Sequence, residues 1–200
     1  MREALASLGL ACPRRTLEAY LRINARLWAA YRRGETTQAA LASERFRLLL
    51  REVGGDPAKA VRLGRSYLDR LSARGDLLPG CRPVLRALGQ RYRLAVVTNG
   101  IDRVQRSRLQ ASGLAPSFEV IVTSEGSGFA KPDPRILQAA LAGLDVPARE
   151  AVYVGDDAAV DGATARAAGA AFIWVDRGDP VRGRRPRARI QNLRELLELL

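Results

Sequence analysis

The chain has no histidine. That excludes Ser-His-Asp and Cys-His catalysis and any zinc site built on imidazole. Chemistry must come from carboxylates, hydroxyls, lysine or arginine. Cysteine is scarce too: Cys12 and Cys81 stand far apart, form no C-x-x-C pair, and read as small core or surface residues rather than a disulfide. No apolar stretch reaches the roughly 18 residues of a membrane span. The start, Met1-Arg2-Glu3-Ala4-Leu5-Ala6, lacks the sections of a signal peptide. A cytoplasmic location with no membrane contact is expected. Lysine is nearly absent as well, since Lys59 and Lys131 are the only two among 33 basic residues.

What is present suits a globular fold. Two hundred residues, 47% hydrophobic and 27% charged, fit one domain or a core with a small insertion. The formal charge of +12 attracts anions, phosphate esters among them. The arginines are scattered over predicted helix faces, so nucleic acid is not an expected partner. Only Arg182-Gly183-Arg184-Arg185-Pro186-Arg187 is dense, it carries no aromatic residue, and it reads as an exposed loop before the last helix.

Two textures follow one another. From Arg14 to Arg32, Leu17, Tyr20, Leu21, Asn24, Leu27, Trp28 and Tyr31 recur at helical spacing. Thr36 or Thr37 can cap a second helix carrying Leu41, Phe46, Leu49 and Val53, and Asp56-Pro57 opens a third that runs to about Ala73. After Leu77, short apolar runs at Arg93 to Thr98, Glu119 to Thr123, Ala151 to Val154 and Ala171 to Val175 alternate with helical segments. The segments are Arg103 to Ser112, Pro134 to Leu144 and Val160 to Ala168, and Asn192 to Leu200 closes the chain as a helix. Alternation of this kind implies βαβ units and a parallel sheet. The expected class is α/β: residues 1–76 a small all-helical cap, residues 77–200 a Rossmann-like core.

Three polar clusters fall at strand ends, where open α/β sheets bind ligands. The first is Thr98-Asn99-Gly100, whose hydroxyl and amides suit a phosphoryl oxygen, although such a tripeptide is also a common turn. The second is Lys131 in Gly128-Phe129-Ala130-Lys131-Pro132-Asp133-Pro134. A lysine at a helix start opposes the macrodipole, which makes sense where an anion is held. The third is Asp156-Asp157 with Asp161. Asp156 closes an apolar run, where an unbound carboxylate is costly, and a hard cation such as Mg²⁺ rests on carboxylate oxygens. Asp161 is near enough to be a further ligand or to orient Lys131, and Asp157 is a possible helix cap.

In this order the three clusters resemble motifs two, three and four of the haloacid dehalogenase (HAD) superfamily. The resemblance implies that Thr98, with Asn99 and Gly100, binds the transferring phosphoryl group. It implies that Lys131 stabilises charge and that Asp156, with Asp161 in support, binds Mg²⁺. Family members attack phosphate with the first aspartate of a D-x-D pair and pass through an aspartyl-phosphate. The stretch Asn24, Trp28, Tyr31, Gly34 and Arg45-Phe46 is similar to the cap of noncanonical pyrimidine nucleotidases, which implies nucleoside 5′-monophosphates as substrates.

The D-x-D pair is absent. Asp176 follows an apolar run, but Arg177-Gly178-Asp179 does not restore it. Met1 reads as the start of the helix after the motif-bearing strand, so the first, central strand of the core is expected to be missing and two strand edges to face a gap. The expectation is a Mg²⁺-dependent phosphatase when complete, with this 200-residue chain inactive, as a monomer or homodimer. Rival readings are a 2-haloacid dehalogenase, which needs no metal, and a non-catalytic binder of phosphate esters.

Overall fold

The computed structural model describes residues 1–178 and 188–200; Asp179 and the arginine-rich run 182–187 lie outside the described residues. The chain divides into two compact units, Met1–Arg74 and Gly75–Leu200.

The first unit is helical: α1 (Arg2–Ala6), α2 (Arg14–Arg32), α3 (Gln38–Glu52) and α4 (Ala60–Ser72). Leu5, Tyr20, Ile23, Phe46, Leu49, Leu50 and Leu63 form its core. Of the two candidate caps Thr37 starts α3, its hydroxyl accepting the Ala40 amide at 3.1 Å. Asp56 accepts the Ala58 amide at 2.9 Å, but what it opens is a 3-10 turn, Pro57–Lys59, ahead of α4. Leu21 departs from the expected apolar face: it is exposed, because α2 buries the row Thr16, Ala19, Tyr20 and Ile23 instead. Buried Arg45 packs its guanidinium 4.8 Å above the Phe46 ring and donates to Asn24 Oδ1 at 3.2 Å.

The second unit is α/β. Its elements run α5 (Cys81–Leu88), β1 (Ala95–Thr98), α6 (Asp102–Ala111), β2 (Val120–Thr123), α7 (Ser124–Ser127), α8 (Arg135–Leu144), β3 (Val152–Gly155), α9 (Val160–Ala168), β4 (Ala171–Val175), β5 (Ala188–Ile190) and α10 (Leu196–Leu199). Strand β5 was not expected. The closing segment is a 3-10 turn followed by α10 rather than one helix, with Asn192 and Glu195 forming a capping box.

All pairings are parallel, but among the described residues the strands form two sheets, β1-β2 and β3-β4-β5, not one. In the first, Ala95 stands opposite Val120 and Thr98 opposite Thr123. In the second, Val152 faces Ala171 and Gly155 faces Trp174. The division falls between β1 and β3. Every residue of β1 is only half-buried and Val152 of β3 is exposed, whereas Ile173, Trp174 and Val175 of β4 are buried. One apolar cluster spans the division, with Leu137 and Leu141 of α8 and Ala165 of α9 packed against Val97, Tyr153 and Phe172. Among the described residues no helix is long and apolar enough to cross a membrane.

Candidate active site

The carboxyl ends of β1 and β3 bring the second unit's polar residues together. Leaving β1, the chain places Asn99 against Lys131. Asn99 Nδ2 donates to the Lys131 carbonyl at 3.0 Å and its Oδ1 accepts the Lys131 amide at 2.8 Å. The amide side chain thus pairs with the lysine backbone as one strand pairs with another, and fixes where its side chain starts.

From there the Lys131 ammonium runs inward. Nζ donates to Asp161 Oδ1 at 2.7 Å and to the Tyr153 hydroxyl at 3.0 Å. The side chains of Lys131 and Asp161 are only 15% and 3% exposed, so the pair is largely cut off from water. An ammonium carries three N–H groups; two are spent here. Burial pulls the Lys131 ammonium toward neutrality, but Tyr153 and Asp161 more than offset this and hold it above the usual lysine value. Burial is also the main force on Tyr153, pushing its phenol up to about 12 against the nearby lysine. At neutral pH the site holds an ammonium beside a protonated phenol.

Asp161 projects from the first turn of α9. Its second oxygen, Oδ2, accepts the Asp157 amide at 3.1 Å. This approach requires glycine at 155, since a Cβ there would sit 2.3 Å from Asp161 Oδ2. Asp157 Oδ1 accepts the amides of Ala159 and Val160 at 3.2 and 3.0 Å, so this acid organises the start of α9.

Three expectations change. Asp156 pays no burial cost: its side chain is 59% exposed, with Arg177 Nη1 3.4 Å away, because β3 ends one residue earlier at Gly155. The Gly100 amide is not open to a ligand, since it donates to Ser124 Oγ at 3.0 Å. Lys131 needs no bound anion to balance it, because Asp161 does so. Thr98 closes β1 and is half-buried.

For a hard cation the donors divide unequally. Both Asp161 oxygens are engaged and its charge is met by Lys131. Among the described residues no group of three or more acidic, cysteine or histidine side chains is arranged to hold a metal. Asp156 offers an exposed carboxylate just beyond β3, and its neighbour Asp157 is exposed too. That fits Mg²⁺, which keeps several waters and rests on one or two carboxylates plus substrate phosphate.

Tyr153 was missed in the sequence. The signal was a phenol in the apolar run Val152-Tyr153-Val154, two residues before Gly155 and so on the same strand face.

Residues 13–169 match the model of the haloacid dehalogenase-like hydrolase family, and the chain belongs to it. It is 38% identical over 180 residues to a phosphoserine phosphatase of Thermus thermophilus, covering 85% of this chain and 71% of that protein. It is 31% identical over 185 residues to the pyrimidine 5′-nucleotidase YjjG of Escherichia coli, covering 90% and 80%. Its structure resembles that of the HAD-hydrolase YfnB from Bacillus subtilis, bound to magnesium, with a TM-score of 0.89, 28% identity and coverage of 99% of this chain and 88% of that one. The chain is a hydrolase of this family, with phosphatases and nucleotidases among its relatives.

Proposed function

We propose that this protein is a Mg²⁺-dependent cytoplasmic phosphatase for small phosphate esters, nucleoside 5′-monophosphates first among them, acting as a monomer or homodimer. The carrying observation is the buried Lys131–Asp161 pair, with Thr98 standing at the carboxyl end of β1. The all-helical residues 1–76 are read as the cap and 77–200 as the core. The nucleotide preference rests on the cap residues Asn24, Trp28, Tyr31 and Arg45-Phe46, and on the likeness to YjjG.

In this reading Thr98 donates its hydroxyl to one phosphoryl oxygen. Lys131 directs its third N–H to another and stabilises the charge that spreads over the phosphoryl group during transfer. Asp161 is a positioning residue that holds the ammonium in place, and Asn99 fixes its backbone. Asp156, with water, would hold Mg²⁺, which supplies charge neutralisation at the phosphate when bound. Among the described residues no aspartate is read as the nucleophile. The division between β1 and β3 suits a further parallel strand bearing a D-x-D pair, through which an aspartyl-phosphate would form.

The test has two arms. The protein is purified from its host and its mass compared with 21.8 kDa. Phosphate release from nucleoside monophosphates, phosphoserine and phosphoglycolate is then measured for that protein and for the 200-residue chain, with Mg²⁺ and with EDTA. Turnover by the native protein that survives EDTA sinks the metal assignment. Mg²⁺-dependent turnover by the 200-residue chain sinks the assignment of the nucleophile to another strand. A preference for phosphoserine would move the substrate toward that of the Thermus relative.

A further inference from the structure

Lys131 is held at two points, and only one of them is a carboxylate. The other is the phenol oxygen of Tyr153, which lies 3.0 Å from Nζ and 3.4 Å from both the Val97 carbonyl and Asp161 Oδ1. The donors and acceptors balance. The phenol oxygen accepts one ammonium N–H, and its own hydrogen goes to Val97 or to Asp161. A second ammonium N–H goes to Asp161, leaving the third uncommitted.

The phenol is itself fixed by packing. Its ring stacks on Phe172 of β4 with centroids 6.3 Å apart and planes 29° apart. Phe172 is pressed by α9 at Gly162, where a Cβ would approach the ring to 3.2 Å. The absence of a side chain at Gly162 lets the helix close on Phe172, Phe172 braces Tyr153, and Tyr153 sets the lysine. Nothing in the phosphoryl chemistry calls for a tyrosine at this position. A plain apolar residue would suit the strand equally well and would leave the ammonium free to swing about its single bond to Asp161.

We propose that Tyr153 is a positioning residue for Lys131, its hydroxyl fixing the ammonium so that the third N–H points to the oxyanion of a bound phosphate. This deepens the phosphatase reading and rests on it.

The low lysine content makes the test direct. Protein labelled with ¹⁵N-lysine has only two side-chain ammonium groups, Lys59 and Lys131. Tyr153→Phe keeps the ring and its stack and removes only the hydroxyl. In the variant the Lys131 ammonium resonance should move and its titration midpoint fall, while Lys59 stays in place. Inorganic phosphate with Mg²⁺ should shift Lys131 in the wild type and bind about ten- to a hundredfold more weakly in the variant, the size expected for one charge-assisted hydrogen bond. A Lys131 resonance, midpoint and phosphate affinity identical in both proteins would overturn the proposal. A Lys131 signal that depends on Tyr153 but ignores phosphate in the wild type would uphold the hold on the lysine and sink the phosphate reading. Should Tyr153→Phe fail to fold, biosynthetic 3-fluorotyrosine leaves every ring in place and weakens the phenol oxygen as an acceptor. It should displace Lys131 in the same way.

Discussion

Lys131 Nζ lies 2.7 Å from Asp161 Oδ1, and both side chains are shielded from water. This contact joins the loop before α8 to the first turn of α9. Its energetics are those of a buried pair, in which each charge is tolerable only because the other is present.

Asp161→Ala should therefore cost about 3–5 kcal/mol of folding stability, because it strands a buried ammonium. Glu18→Ala, which breaks the exposed Arg14–Glu18 pair, should cost about 1 kcal/mol or less. Urea unfolding of the two variants provides the comparison, and equal losses would mean that Lys131 is not buried in solution.

The pair also sets a pH dependence. Lys131 is held above its usual value and Tyr153 is pushed up to about 12, so in both groups folding favours the protonated form. The lysine contribution is complete below its unfolded value of about 10.4 and is lost as pH rises through the higher folded value. Unfolding free energy followed from pH 8 to 12 should decline in the wild type. In Lys131→Met the lysine part of that slope should vanish, leaving the tyrosine part.

Gly155→Ala should act on the site from behind. The new methyl group would lie 2.3 Å from Asp161 Oδ2, so the carboxylate must move. A loss of about 1–3 kcal/mol, the range for overpacking, is expected in thermal melts, together with a displaced Lys131 ammonium resonance.

Asn99→Ala removes both bonds to the Lys131 backbone and should cost about 1–3 kcal/mol. Asp156→Asn should behave in the opposite sense. Its carboxylate is exposed, so stability should stay within about 0.5 kcal/mol. Mg²⁺ affinity by calorimetry should fall at least as far as the ten- to hundredfold seen when a residue that merely orients a metal ligand is lost. Unchanged Mg²⁺ binding would remove Asp156 from the metal site.

The local order of the chain was legible without coordinates. Alternation of apolar runs with helical periods announced parallel βαβ units, and Thr98, Lys131, Asp156 and Asp161 stood out because polar groups at strand ends interrupt apolar texture. Helix limits followed where local chemistry sets them, as at Thr37, whose hydroxyl meets an amide three residues away. What was not legible depends on contacts distant in sequence. Asp156 and Asp161 looked alike in the sequence, five residues apart, yet one is exposed and the other buried, because β3 ends at Gly155 and α9 turns Asp161 inward. Tyr153 carried no role in the sequence, because the Lys131 ammonium that meets its hydroxyl comes from 22 residues earlier. Periodicity and capping act over one or two turns of chain, so the sequence alone determined the alternation of the main strands and helices, but not β5 or the part Tyr153 plays. Which carboxylate neutralises the lysine, which amides are already spent and where the sheet divides depend on packing between segments 20 to 60 residues apart, and only the tertiary structure decided them.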